Sequence, residues 1–205
     1  MSSLLRIAAL ILIGLLQGCA DSPSLDYVPE DGIIVAFGDS LTVGVGAPIN
    51  DSYPSELARL SQRRVVNAGV SGEVTKEGLS RLPAILDEFQ PRLVILLEGG
   101  NDILKGKDLA LTKANLSAMI NMIKNHKADV VLIGVPEKKL FSDVAPIYEE
   151  LAEEYEIILL DDTLSGLLKN NKYKSDPIHL NAQGYKKLAG VIHENLVQGG
   201  ALYYE

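Results

Sequence analysis

The chain has 205 residues, 47% of them hydrophobic and 22% charged, and a formal net charge of −8. That length accommodates one domain with a sizeable core rather than two. The acidic balance offers no basic stripe and excludes a nucleic-acid backbone as partner.

Residues 1–18 read as a leader of lipoprotein type. Arg6 precedes an apolar stretch, Ile7–Leu16, that has the length of a signal-peptide core and is too short to span a bilayer as a helix. Leu16-Gln17-Gly18-Cys19 resembles the bacterial lipoprotein processing box, and Cys19, the single cysteine, is the expected site of lipid attachment. The expected location is the bacterial cell envelope, lipid-anchored to a membrane and facing the periplasm. Cleavage after Ala20 would instead leave a soluble periplasmic or secreted protein. Residues 19–31, with two prolines, read as a tether, and 32–199 as the folded domain.

Ile33-Ile34-Val35-Ala36-Phe37 has the unbroken apolar character of a buried parallel strand, and it stops abruptly at Gly38-Asp39-Ser40. In open α/β sheets the chemistry lies beyond the carboxyl ends of the strands, so Ser40 stands at the rim. Gly44 and Gly46 mark a turn, with loop to Asp51. Tyr53–Leu60 reads as a short helix with Pro54 in its first turn, and Val65–Asn67 as a second strand stopped by Gly69. Thr75–Phe89 has helical spacing that Pro83 kinks or splits. Leu93–Leu97 is the third strand, running into Gly99-Gly100-Asn101-Asp102. Thr112–Lys127 is amphipathic, with Leu116, Met119, Ile120 and Ile123 on one face. Val130–Val135, a helix over Asp143–Tyr155, and Ile157–Leu160 follow, with Asp161-Asp162 as loop. Asn181 caps a last helix whose inward stripe is Tyr185, Leu188, Ala189, Ile192 and Leu196. The alternation predicts an α/β protein: a three-layer α/β/α sandwich around a flavodoxin-like, five-stranded parallel sheet.

Polar clusters follow three strands, and a fourth, Asp176-Pro177-Ile178-His179, precedes the last helix. Acyl transfer needs a hydroxyl, a neutral imidazole to take its proton, a carboxylate to hold the imidazole, and fixed donors for the oxyanion. Ser40, His179 and Asp176 supply the first three. The backbone N–H groups of Ser40 and Gly69 and the amide of Asn101 supply the donors. Asp39 reads as a bracket of the serine turn and Asp102 as a support of Asn101. His126 and His193 lie late on helices and read as structural. Among these residues none forms a metal-ligand set, and there is no Gly-x-Gly-x-x-Gly phosphate cradle, so no metal and no cofactor is expected.

Gly38-Asp39-Ser40-Leu41, Gly69, Gly99-Gly100-Asn101-Asp102 and Asp176-Pro177-Ile178-His179 resemble, in order and spacing, the four blocks of the SGNH (GDSL) hydrolases. Val65–Gly72 and Gly78–Pro83 are most similar to the arylesterase, acyl-CoA thioesterase I and lysophospholipase L1 group. The resemblance implies a triad of Ser40, Asp176 and His179, with Ser40, Gly69 and Asn101 as oxyanion donors. It further implies hydrolysis of small carboxylic (aryl or acyl) esters, with thioesters or lysophospholipids as further substrates, through an acyl-enzyme on Ser40. Pro177 and Leu180 depart from the residues usual beside that histidine. The alternatives are a deacetylase of acetylated cell-wall or exported polysaccharide using the same triad, a non-catalytic scaffold, and a nucleotide binder without a phosphate loop.

Overall fold

The structure, a computed structural model, describes residues 23–137 and 144–203. Five parallel strands form one sheet: β1 (Ile33–Gly38), β2 (Arg64–Gly69), β3 (Leu93–Leu97), β4 (Asp129–Ile133) and β5 (Ile158–Leu160), in spatial order β2-β1-β3-β4-β5. The order reverses between β1 and β3, and the ends of those two strands carry Ser40 and Asn101. Every residue of β3 is buried, as a strand covered on both faces requires. The expected α/β/α sandwich is therefore the observed fold.

The helices are α1 (Ser40–Val43), α2 (Tyr53–Ser61), α3 (Thr75–Phe89), α4 (Gly100–Leu104), α5 (Leu109–Asn125), α6 (Pro146–Tyr155), α7 (Asp162–Lys169) and α8 (Ala182–Gln198). α2 packs on α8, which also touches α7; α3 packs on α5, and α5 on α6. Asn181 caps α8 by accepting from Gly184 N–H, and the stripe Tyr185, Leu188, Ala189, Ile192 and Leu196 is fully buried. Each large aliphatic side chain so buried stabilises the fold by ~1.5–3 kcal/mol. α3 runs unbroken through Pro83. α5 starts three residues before the expected Thr112, because Asp108 accepts from Ala110 N–H and caps it there.

Two local readings are corrected. Asp161-Asp162 is not loop: the Asp161 carboxylate accepts from Asp162 N–H and opens α7, whose Leu164 and Leu167 turn inward. Part of the segment read as a tether is docked. Leu25 and Val28 donate to the carbonyls of Gly199 and Ala201, Val28 is fully buried, and Tyr27 lies against the ring of Tyr203 at 5.0 Å. The apolar residues spaced along Leu25–Val28 anchor that stretch to the C-terminal segment.

The leader at 1–18 and Cys19 lie outside the described residues. Among the described residues no helix is long and apolar enough to cross a membrane. The expected placement as a lipid-anchored protein of the bacterial envelope is accordingly corrected and not retained.

Candidate active site

Gly38 ends β1 between Leu97 of β3 and Gly69 of β2, so closely that a Cβ would overlap Leu97 O and the Thr42 hydroxyl. This glycine lets the chain turn sharply from strand into α1. Asp39 caps α1 by accepting from Leu41 N–H (3.0 Å), and Gly44 closes it in the left-handed region at φ 95°. Ser40, the first residue of α1, is thereby held at the sheet edge. Its own N–H has no partner among the described residues, as expected for the first turn of a helix.

His179 reaches Ser40 from the loop before α8. That loop is closed by an antiparallel bridge between Lys174 and Leu180 and by Ser175 N–H donating to His179 O. His179 Nε2 lies 3.0 Å from Ser40 Oγ, and Nδ1 lies 2.7 Å from Asp176 Oδ2. The other oxygen, Asp176 Oδ1, accepts from Ile178 N–H (2.9 Å) and His179 N–H (2.8 Å). The carboxylate so organises the turn that presents the imidazole. Burial opposes ionisation of Asp176, but the bond to His179 and the two backbone donors outweigh it and hold its carboxyl below the usual range. The two departures beside His179 are absorbed locally. Pro177 takes a turn position from which the carboxylate needs no donor, and Leu180 is fully buried.

Of the three groups expected as oxyanion donors, Ser40 and Asn101 each have an N–H without a partner among the described residues. Asn101, on α4, donates from Nδ2 to Asp39 Oδ2 (3.1 Å), which fixes the amide and leaves its second N–H unused. Asp39 is itself buried; burial, with the charges of Glu73 and Asp102 adding, pushes its carboxyl up to about 6 against the Leu41 N–H and His179. Asp39 is thus the bracket of the serine turn, joined to Asn101. Asp102 supports α4 from below by accepting from Thr75 N–H and its hydroxyl, both at 2.8 Å.

Gly69 is not available. Its N–H donates to Asn67 Oδ1 (3.0 Å), Asn67 Nδ2 in turn donates to Thr42 O (2.9 Å), and a Cβ on Gly69 would overlap Val43 N. Gly69 is there for close approach of β2 to α1. The glycine that stays open in this loop is Gly72. It is exposed, sits at φ +81°, has no partner for its N–H among the described residues, and is tied to the end of α4 by Lys105 Nζ donating to its carbonyl (3.0 Å).

The Ser40 side opens into a cleft of about 440 Å³. Its apolar lining comes from Leu41, Ile103, Leu104, Val135, Leu164 and Leu168, with Asp39 and Asn101 at the reactive end and one side open to solvent. Leu164 and Leu168 belong to α7, which extends on from the Asp161-Asp162 pair expected as loop. The signal was present as Asp161 followed by Leu164, Leu167 and Leu168 at helical spacing.

The profile of the GDSL-like lipase/acylhydrolase family matches residues 36–187, spanning every group just described. The chain belongs to this family. Among GDSL-like relatives, an arylesterase of Vibrio mimicus is 35% identical over 176 residues, 80% of this chain and 88% of that protein. Thioesterase 1/protease 1/lysophospholipase L1 of Escherichia coli K12 is 33% identical over 156 residues, 72% of this chain and 75% of that protein. The crystal structure of AlinE4, an SGNH-hydrolase family esterase, is 30% identical and superposes with a TM-score of 0.66 over 84% of this chain and 98% of that one. This GDSL-like chain is a carboxylic ester hydrolase that works through a serine.

Proposed function

We propose that Ser40 is the nucleophile, His179 the general base and then acid, and Asp176 the group that orients the imidazole. The single observation that carries this reading is the hydrogen-bonded line Ser40 Oγ–His179 Nε2 (3.0 Å) and His179 Nδ1–Asp176 (2.7 Å), at the mouth of an apolar cleft. His179 Nε2 takes the hydroxyl proton as Oγ adds to the ester carbonyl. The negative oxygen meets the N–H groups of Ser40 and Gly72 and the free N–H of Asn101; Gly72 replaces Gly69 because its N–H is uncommitted. Collapse expels the alcohol or thiol with the proton from His179. Water, activated by the same imidazole, then frees the acid from Ser40.

The apolar lining supports an acyl chain of several carbons as the part of the substrate that enters the cleft, in line with the thioesterase and lysophospholipase names of the relatives. Each methylene in such a pocket is worth about 1–3 kcal/mol, so rates should depend strongly on chain length. With p-nitrophenyl esters from acetate to palmitate, kcat/KM should peak at an intermediate length. Leu168→Trp, which fills the cleft from α7, should move the peak to shorter chains and leave acetate within ~3-fold of wild type. An unchanged profile in Leu168→Trp would remove this cleft as the acyl site.

A second reading has its own observation. The open side of the cleft suits an acetylated sugar, as a deacetylase of polysaccharide would need. A profile that favours acetate alone, with acetate released from acetylated glycan, would select it.

A further inference from the structure

Behind the reactive face lie four carboxyl side chains almost wholly shut off from solvent: Asp39, Glu73, Glu98 and Asp102. Three have a donor on each oxygen. Asp39 accepts from Leu41 N–H and Asn101, Asp102 from Thr75, and Glu73 from both arms of the Arg81 guanidinium at 3.0 and 2.6 Å. Glu98 is different. It directly follows β3, its residue is 0% exposed, and Oε2 accepts from Gly99 N–H at 3.2 Å. Oε1 is the one fully buried side-chain oxygen or nitrogen without a partner among the described residues.

An ionised carboxylate with an empty oxygen in such a place is strongly unfavourable. A carboxylic acid carries its own donor. The side chain within hydrogen-bonding reach of Glu98 is Glu73, an acceptor whose charge Arg81 balances from its far side, with the guanidinium lying over the Phe37 ring at 4.1 Å. Protonation of Glu98 removes the orphan atom and the like-charge contact together.

We propose that Glu98 is held as a neutral acid donating its hydrogen bond to the Glu73 carboxylate, and that the pair positions the oxyanion donors by fastening the loop of Gly72 to the turn of Asn101. Glu73 directly follows Gly72, and Glu98 stands three residues before Asn101. Tyr148 locks the same turn from α6: its hydroxyl donates to Glu98 O at 2.7 Å and crowds Gly99, which lies at φ +99°. The pair rests on the assignment of Gly72 and Asn101 given above. Glu98 touches no substrate and is a positioning residue.

Burial, followed by the charge of Asp39 and the contact with Glu73, raises the Glu98 carboxyl far above the ordinary range. The groups that face it are Glu73 from the loop after β2, Asp39 from the end of β1, Tyr53 from α2 and Tyr148 from α6. Arg81 of α3 stands beyond Glu73, and Asp102 of α4 lies near Tyr148. Arg81 is the cation in that set. The folded chain keeps a proton on Glu98 that the unfolded chain releases near the ordinary carboxylate value. The stabilisation is therefore complete below that value and declines as pH rises through the folded one. At alkaline pH two facing carboxylates would push the Gly72 loop and the Asn101 turn apart.

The test compares full-length wild type, Glu98→Gln, Glu98→Leu and Ser40→Ala in ester hydrolysis across pH, with folding followed by circular dichroism. Glutamine can still donate to Glu73 and accept from Gly99 but cannot ionise. Glu98→Gln should hold kcat within ~3-fold of wild type at neutral pH and lack the alkaline fall of kcat that wild type shows. Glu98→Leu should lower kcat by ~10-fold or more with KM nearly constant, since a small misplacement of donors is costly. A Glu98→Gln profile that falls like wild type, or a wild type with no alkaline fall, overturns the proposal even if Glu98→Leu fails to fold. If Ser40→Ala is inactive in that case, the catalytic assignment stands and the positioning role alone is lost; an active Ser40→Ala removes both.

Discussion

Alanine at His179 should lower kcat on carboxylic esters by on the order of 10⁴–10⁶-fold, with KM little changed. The imidazole touches the hydroxyl and not the acyl chain, so its removal leaves binding intact and Ser40 with no base. Asp176→Asn should come close to that loss. An asparagine oxygen can still accept from the N–H groups of Ile178 and His179, so the turn survives, but its amide faces Nδ1 with a donor. That selects the tautomer with the proton on Nε2, which cannot accept from Ser40. A folded His179→Ala protein with wild-type turnover would show that the proton of Ser40 leaves by another route. Because the Asp176 carboxyl is held below its usual range, its charge persists through the neutral region and is lost only as pH falls through that lowered value.

Asn101→Ala should reduce kcat by ~10²–10³, the usual cost of one oxyanion donor. The same change should also destabilise the fold by about 1–3 kcal/mol, because Asp39 Oδ2 loses its donor in a buried place. Thermal unfolding separates the two effects: a kinetic loss in a fully folded sample is the catalytic part. Asn101→Asp should be worse on both counts, setting a second carboxylate face to face with that of Asp39. Unaltered kcat in folded Asn101→Ala would remove that amide from the hole.

The sheet was legible because Ile33–Phe37 and Leu93–Leu97 are apolar without interruption, a pattern that has few uses outside a doubly covered parallel strand. The convergence of Ser40 and Asn101 followed from that topology, since polar residues directly after such strands share one edge, whereas the Asp176–His179 turn follows no strand and reaches Ser40 from the loop before α8. Gly69 shows the limit. Position after a strand marks a glycine as close to the site, but whether its N–H is free depends on Asn67 Oδ1 and on the backbone of α1 pressing against it. Those are tertiary contacts with no sequence signature. α7 was hidden by an acidic pair that reads equally as a loop or as a cap, and the docking of Leu25–Val28 depends on a C-terminal segment nearly 175 residues away. The Glu73–Glu98 pair was invisible for the same reason: its members lie in separate loops, after β2 and after β3, and each alone looks like a surface acid.

The most direct measurement of the central claim is intact-protein and peptide mass spectrometry after treatment with a fluorophosphonate, run in parallel on wild type, Ser40→Ala and His179→Ala. Wild type should carry one adduct, located on Ser40, with ester hydrolysis lost in step with labelling. Ser40→Ala should carry none, and labelling of His179→Ala should be slowed by orders of magnitude. An adduct on a different residue, or hydrolysis that survives full labelling of Ser40, would contradict that claim.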